Sequence, residues 1–152
     1  MNASSFKEEL SGRFGWKVGK TEKSSGRLYV NPEPEIFEDM VEFVFKEHGG
    51  RLATISCVDE EDLFRLLYHF SLDDRGLMVT IKLPVKKDGN PSTKSIANEI
   101  PGAEWIEREI REMFGVDFEG HPAKKRLLKA DSVGDEDFPF RKDFDVENLE
   151  VD

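Results

Sequence analysis

The residues with most capacity for chemistry crowd into one stretch. Glu107, Arg108, Glu109, Arg111 and Glu112 stand together with only Ile110 among them, and His121 and the basic run Lys124-Lys125-Arg126 come shortly after. Paired carboxylates such as Glu109 and Glu112 suit general acid–base work, but on one exposed helix face they have no opposite wall to enclose a substrate. His48 closes a helix beside Gly49-Gly50, where an imidazolium meets the negative helix end. His69 alternates outward on a strand, and neither histidine has a neighbour at metal-ligand spacing. Cys57 is the only cysteine, which excludes an internal disulfide, a cysteine-only iron–sulfur cluster and a cysteine zinc site. It is expected as a buried apolar thiol, since no paired base is apparent that would make it a nucleophile. With no glycine-rich nucleotide loop either, no cofactor is expected in this chain.

The charged stretch must be positioned by a helix over about Gly102 to Phe114. At 100° per residue, Ala103, Ile106, Ile110, Met113 and Phe114 share one arc that faces a sheet. Glu104 with Arg108 and Glu107 with Arg111 are Glu-before-Arg pairs at i,i+4, which favour helicity. Trp105, Arg108, Glu109 and Glu112 form a second flank whose mixed charge around a tryptophan suits either a solvated face or a protein interface. The four charged residues Glu107, Arg108, Glu109 and Glu112 either hold the following loop internally or reach a partner. Gly120-His121-Pro122 reads as a tight turn, with the imidazole bonded within it or across an interface.

The elements before that helix imply an α+β fold: an antiparallel sheet with helices packed on one face, followed by an extended C-terminal arm. Ser5-Phe6-Lys7-Glu8 has capping-box spacing, predicting a short helix over about 5–11 that Gly12 and Gly15 break. Strand candidates at Trp16–Val18 and Arg27–Val30 flank the polar run Lys20–Gly26, read as a loop. Ile36, Phe37, Met40, Val41, Val44 and Phe45 recur at helical spacing before Gly49-Gly50. Arg51–Val58 is β-rich. Phe64 to Leu72 and Leu77 to Val85 then alternate with period two around the turn Asp73-Asp74-Arg75-Gly76, so they pair antiparallel. A further helical region is expected at about Thr93–Ile100, ended by Pro101. The domain reading is an N-terminal helix and hairpin region over 1–29, an α+β core over 30–114, and an acidic docking arm over 115–152.

The 152 residues carry 22 basic and 32 acidic side chains, a formal net charge of −10, which disfavours nucleic acid and anionic lipid as general partners. From Asp131 to Asp152 nine acidic residues oppose only Arg141 and Lys142. Phe138, Phe140 and Phe144 sit in this acidic stretch, where the domain is not expected to cover them; they read as anchors on an arm that wraps a partner. Lys124, Lys125 and Arg126 fit an acidic partner or the chain's own tail. No apolar run approaches a membrane span, and the first residues lack a secretory layout, so a cytoplasmic location is expected. Glutamine is absent from the sequence, a thermophile-like trait.

Taken together, Glu107-Arg108-Glu109-Ile110-Arg111-Glu112-Met113-Phe114, His121 after six residues, and Lys125-Arg126-Leu127-Leu128 resemble the signature of the 30 kDa subunit of respiratory complex I and its relatives in energy-converting membrane-bound [NiFe] hydrogenases. The match spans 22 residues, and the order of preceding elements extends the resemblance over about 30–144. Phe138-Pro139-Phe140-Arg141-Lys142-Asp143-Phe144 is similar to the family's closing element. Asp135-Glu136-Asp137-Phe138 stands where complex I members carry a second Gly-His-Pro, which favours the hydrogenase-type branch over the NADH–quinone complex I branch proper.

The resemblance implies a non-catalytic structural subunit of the soluble arm of a membrane-bound, ion-pumping oxidoreductase complex. It would dock on the large catalytic subunit near the small iron–sulfur subunit, at the inner face of the cell membrane. Iron–sulfur clusters and, in the hydrogenase branch, a NiFe centre would belong to those partners. The residues expected at the interface are Trp105, Glu107, Arg108, Glu109, Glu112, His121, Lys125, Arg126, Phe138, Phe140, Arg141 and Lys142. A free-standing α+β protein-binding module is the alternative.

Overall fold

A computed structural model describes residues 3–148; whatever the sequence suggests for 1–2 and 149–152, the end of the acidic tail included, lies outside the described residues. The elements run α1 (Ala3–Phe14), β1 (Lys20–Ser24), β2 (Arg27–Asn31), α2 (Phe37–Glu42), β3 (Arg51–Asp59), β4 (Leu63–Leu72), β5 (Leu77–Lys86), β6 (Ser92–Lys94), α3 (Glu104–Phe114) and β7 (Asp117–Glu119). A 3₁₀ turn at Pro34–Ile36 and a wider turn at Phe43–Glu47 extend α2 at its two ends, so the helical stretch matches the apolar spacing.

The fold class is α+β, with a five-stranded sheet in the order β1-β2-β5-β4-β3. It is not wholly antiparallel, because β2 pairs with β5 in parallel, Arg27 opposite Met78 and Val30 opposite Ile81. Connectivity explains this correction. The helix α2 returns the chain after β2, the tight turns between β3, β4 and β5 reverse it twice more, and β5 therefore runs with β2.

Three local expectations also change. The polar run Lys20–Ser24 is strand β1, paired antiparallel with β2 from Lys20–Asn31 to Ser24–Arg27, whereas Trp16–Val18 lies in a 3₁₀ turn. A strand polar on both faces carries no alternation, so its neighbour's hydrogen bonds define it. Gly12 stays inside α1, which ends where Gly15 adopts φ +62. Thr93–Ile100 is not a helix: Ser92–Lys94 forms β6, parallel to β7.

By contacts the chain divides into two compact units, residues 1–56 with 65–84 and residues 57–64 with 85–152. The sequence reading instead divides it after 29 and after 114; the strands β3, β4 and β5 each contribute residues to both units. In the first unit α2 lays Phe37 on Tyr68, ring centroids 4.8 Å apart, and Phe6 of α1 meets Phe43 at 6.1 Å. Leu28, Val30, Met40, Leu66, Phe70, Val79 and Ile81 are buried in the same core. The second unit buries Phe64, Ile96, Ile100, Ile110, Met113, Val116 and Phe118, with Phe64 edge-on to Phe114 at 6.0 Å.

Candidate docking site on α3 and the segment it holds

The second unit contains the whole charged stretch, and α3 begins after a 3₁₀ turn led by Pro101, whose fixed φ suits a helix start. It ends at Gly115, where φ is +79 and the amide donates to the Arg111 carbonyl. A Cβ there would lie 2.6 Å from Arg141 Nη2 and 2.7 Å from the Phe138 ring, so glycine is required by both conformation and space.

Glu107 and Glu112 are buried rather than solvated. Glu107 is fully enclosed, at 0% exposure. Its carboxyl accepts from Ser95 Oγ at 2.5 Å and from the Ile96 amide at 2.8 Å. Burial pushes its pKa up; the hydrogen bonds from Ser95 and Ile96 only partly oppose that. Ser95 was not legible as its partner, since nothing local marks a contact across twelve residues.

The His121 side chain is 3% exposed. Its Nε2 lies 2.9 Å from the Glu104 carbonyl and its Nδ1 accepts the Ala123 amide at 2.9 Å. An amide is only a donor and a carbonyl only an acceptor, so the ring is neutral and carries its proton on Nε2. The imidazole ties the turn after β7 to the first turn of α3.

Arg108 and Glu112 grip residues 125–129. The guanidinium donates to the carbonyls of Lys125 and Arg126 at 3.1 and 2.9 Å. The carboxylate accepts the amides of Leu127, of Leu128 at 2.7 Å and of Lys129 at 3.4 Å. Burial alone would raise the Glu112 pKa, but the three amides and the Lys129 charge outweigh it and hold the carboxyl below its usual range. With both oxygens so engaged, Glu112 cannot serve with half-buried Glu109 as an acid–base pair.

The segment after β7 is irregular, but it returns to its own unit rather than extending away as an arm. The Phe140 amide donates to Met113, Arg141 Nε donates to the Phe114 carbonyl at 2.6 Å, and the Lys142 amide donates to Asp59 at 2.8 Å. Asp59 also pairs with Lys87. Burial would raise its pKa; the Lys87 and Lys142 interactions more than reverse this. The Arg141 guanidinium stacks over Phe138 at 4.3 Å and Phe64 at 5.1 Å. An irregular backbone has no ladder of its own, so these side-chain and cross-segment partners satisfy it. Arg126, though exposed, likewise bonds within its own segment, to the carbonyls of Ala130 and Val133 and to Asp135 at 2.7 Å. Lys124 pairs with Asp117 at 3.0 Å.

Of the residues named for an interface, Glu107, Arg108, Glu112, His121, Arg126 and Arg141 thus make contacts within the unit, and Phe138 is half-buried. Trp105 at 66% and Phe140 at 54% exposure remain open, as do Lys125 and Lys142. Leu128, held in place by Glu112, is 58% exposed and joins them. Cys57 is half-buried, its thiol pushed up to about 12 by burial and by Asp59. Among the described residues no group of three or more His, Cys, Asp or Glu side chains is arranged to hold a metal ion.

Residues 30–150 match the family described as the respiratory-chain NADH dehydrogenase 30 Kd subunit. The chain is 33% identical over 133 residues to the C subunit of NADH-quinone oxidoreductase from Rhodobacter capsulatus, covering 84% of this chain and 65% of that one. It is 32% identical over 125 residues to formate hydrogenlyase subunit 5 of Escherichia coli, covering 80% of this chain but 22% of that protein. The chain thus spans under two thirds of these relatives. Its fold is similar to a chain of the membrane-bound sulfane sulfur reductase, an archaeal respiratory membrane complex, with TM-score 0.83 and 21% identity over 94% of this chain and 85% of the other. It also resembles a trypsin-resistant fragment of Nqo5, with TM-score 0.68 and 22% identity over 81% and 99% of the two chains. With its signature helix, its α+β sheet and a family match across most of its length, the chain belongs to the family of the 30 kDa subunit of respiratory-chain NADH dehydrogenase.

Proposed function

We propose that this chain is a non-catalytic structural subunit of the peripheral arm of a membrane-bound, ion-pumping oxidoreductase complex. It docks on the large catalytic subunit, beside the small iron–sulfur subunit, and the iron–sulfur clusters and any NiFe centre lie in those partners. One observation carries the reading: Arg108 and Glu112 of α3 are engaged in holding residues 125–129, and Leu128, Trp105 and Phe140 stand as exposed apolar groups on one ordered unit. Exposed aromatic anchors on a pre-ordered backbone suit recognition, because little ordering entropy remains to be lost on binding. No helix among the described residues is long and apolar enough to cross a membrane, and the chain sits at the inner face of the cell membrane through its partners.

Within the family the hydrogenase-type branch is favoured. Asp135-Glu136-Asp137-Phe138 occupies the place of the second Gly-His-Pro, and Asp135 is paired there with Arg126. The formate hydrogenlyase relative supports this branch, and the NADH-quinone oxidoreductase relatives support the NADH–quinone alternative. The test is purification of the tagged chain from its native membrane with nickel and iron measured in the same sample. Co-purification of a large and a small subunit with both metals is expected; iron without nickel selects the quinone-type branch. A chain recovered alone, or with unrelated proteins, overturns the assembly reading in favour of a free-standing binding module.

A further inference from the structure

The sheet of the first unit has two unlike faces. On one side Leu66, Tyr68, Phe70, Val79 and Ile81 are buried, and Phe37 of α2 lies on Tyr68, with α1 beside α2 through the Phe6–Phe43 contact. Successive strand residues point to opposite faces, so His69 lies on the other side. Its Nδ1 is 2.9 Å from Thr80 Oγ1 and its Nε2 is 3.1 Å from Ser56 Oγ, a polar ladder across β3, β4 and β5. The strand registers carry this face onward, with Thr80 opposite Tyr29 and Tyr29 opposite Glu22. Leu67, Met78, Tyr29, His69 and Lys82 are half-buried, the pattern of a sheet surface that is open rather than covered.

The charge of this face is opposite to that of the chain. Lys20, Arg27, Arg65 and Lys82 share it, against the single carboxylate Glu22, which pairs with Lys20 at 3.4 Å. Lys82 lies over the Tyr29 ring at 5.0 Å. The whole chain carries −10. A locally basic, rigid surface with half-buried apolar groups on a strongly acidic protein matches a partner that is acidic only locally. A polyanion such as nucleic acid would meet the repulsion of the rest of the chain, and so would a second copy.

We propose that this sheet face is a second docking surface, fitted to a flat, carboxylate-bearing face of another protein subunit. The proposal rests on the assembly reading above, and it adds a contact separate from the α3 site.

The test uses the complex purified from its native membrane and the isolated chain in parallel. Amine acylation of Lys82 and ring iodination of Tyr29 are compared between the two. Both are expected to fall about tenfold on assembly, and the double variant Arg27→Glu/Lys82→Glu is expected to lower recovery of the partner subunits about tenfold. The labelling needs no variant, so a misfolded double variant leaves it decisive. An intact complex in which Lys82 and Tyr29 label as in the isolated chain overturns this proposal and leaves the assembly reading standing. Failure to recover any complex overturns both. Two further results also overturn the docking proposal: protection of the face in the isolated chain through self-association, or displacement of the partner by a double-stranded DNA oligonucleotide at micromolar concentration.

Discussion

Arg108 and Glu112, one helical turn apart on α3, hold opposite polarities of the same backbone segment: the guanidinium takes the carbonyls of Lys125 and Arg126, and the carboxylate takes the amides of Leu127 to Lys129. A guanidinium only donates and a carboxylate here only accepts, so neither can replace the other. The pair converts an irregular stretch into a shaped surface that presents Leu128.

Glu112→Ala leaves three amides without their acceptor and should destabilise the chain by about 2–4 kcal/mol. The expected signs are a lower urea midpoint and faster hydrogen exchange at Leu127, Leu128 and Lys129, with the first unit's strands unchanged. Acid should act in the same direction. The Glu112 and Asp59 carboxyls titrate below their usual range in the fold, so their stabilisation is complete above the unfolded pKa of about 4 and is lost as pH falls through the lower folded values.

Glu107 has the opposite sign. Burial raises its folded pKa, so folding favours the protonated carboxyl and stability falls as pH rises from the unfolded value, about 4.3, through the raised one. Glu107→Gln keeps an acceptor for Ser95 and Ile96 and removes the buried charge. Thermal melts between pH 4 and 8 should show a flatter profile for this variant than for the wild type, with no loss of midpoint at neutral pH. Glu107→Ala, which strands both donors, should lower the midpoint throughout.

Gly115→Ala places a methyl against Arg141 and Phe138 in a left-handed backbone. A loss of about 1–3 kcal/mol in chemical denaturation is expected, together with exposure of the Phe138 ring. Gly89→Ala meets no atom within 4 Å at φ +66, so it isolates the conformational part and should cost about 1 kcal/mol.

The His121 tautomer is open to direct reading. Nitrogen-15 spectra at neutral pH should show Nε2 protonated and Nδ1 bare, as the Ala123 amide and Glu104 carbonyl require. A proton found on Nδ1 would refute the turn geometry, and His121→Ala should loosen residues 120–123 at a cost of about 1–2 kcal/mol.

Trp105 and Phe140 separate stability from assembly. Both side chains are more than half exposed, so the isolated Trp105→Ala and Phe140→Ala variants should melt within about 0.5 kcal/mol of wild type. Recovery of the large subunit should nevertheless fall by about tenfold or more for at least Trp105→Ala, as for a truncated aromatic anchor. Unchanged recovery for both would remove them from the interface.

What the sequence determined by itself was whatever a single chain segment writes in its own periodicity. The limits of α3 followed from Pro101 and Gly115, and β4 and β5 from strict alternation about a four-residue turn. The signature residues were legible as a group, because Glu107 to Leu128 lie close together along the chain. Tertiary structure decided the rest. It made a strand of Lys20–Ser24, whose two polar faces carry no period, by giving it β2 as a partner, and it turned Thr93 into a strand residue beside Phe118. It ran β2 parallel to β5, which depends on counting every reversal between them. Above all it chose which charged groups on α3 face inward: Glu107 is buried because Ser95 and Ile96, twelve and eleven positions away, supply donors there, and a donor that distant in sequence leaves no trace in a helix's own pattern.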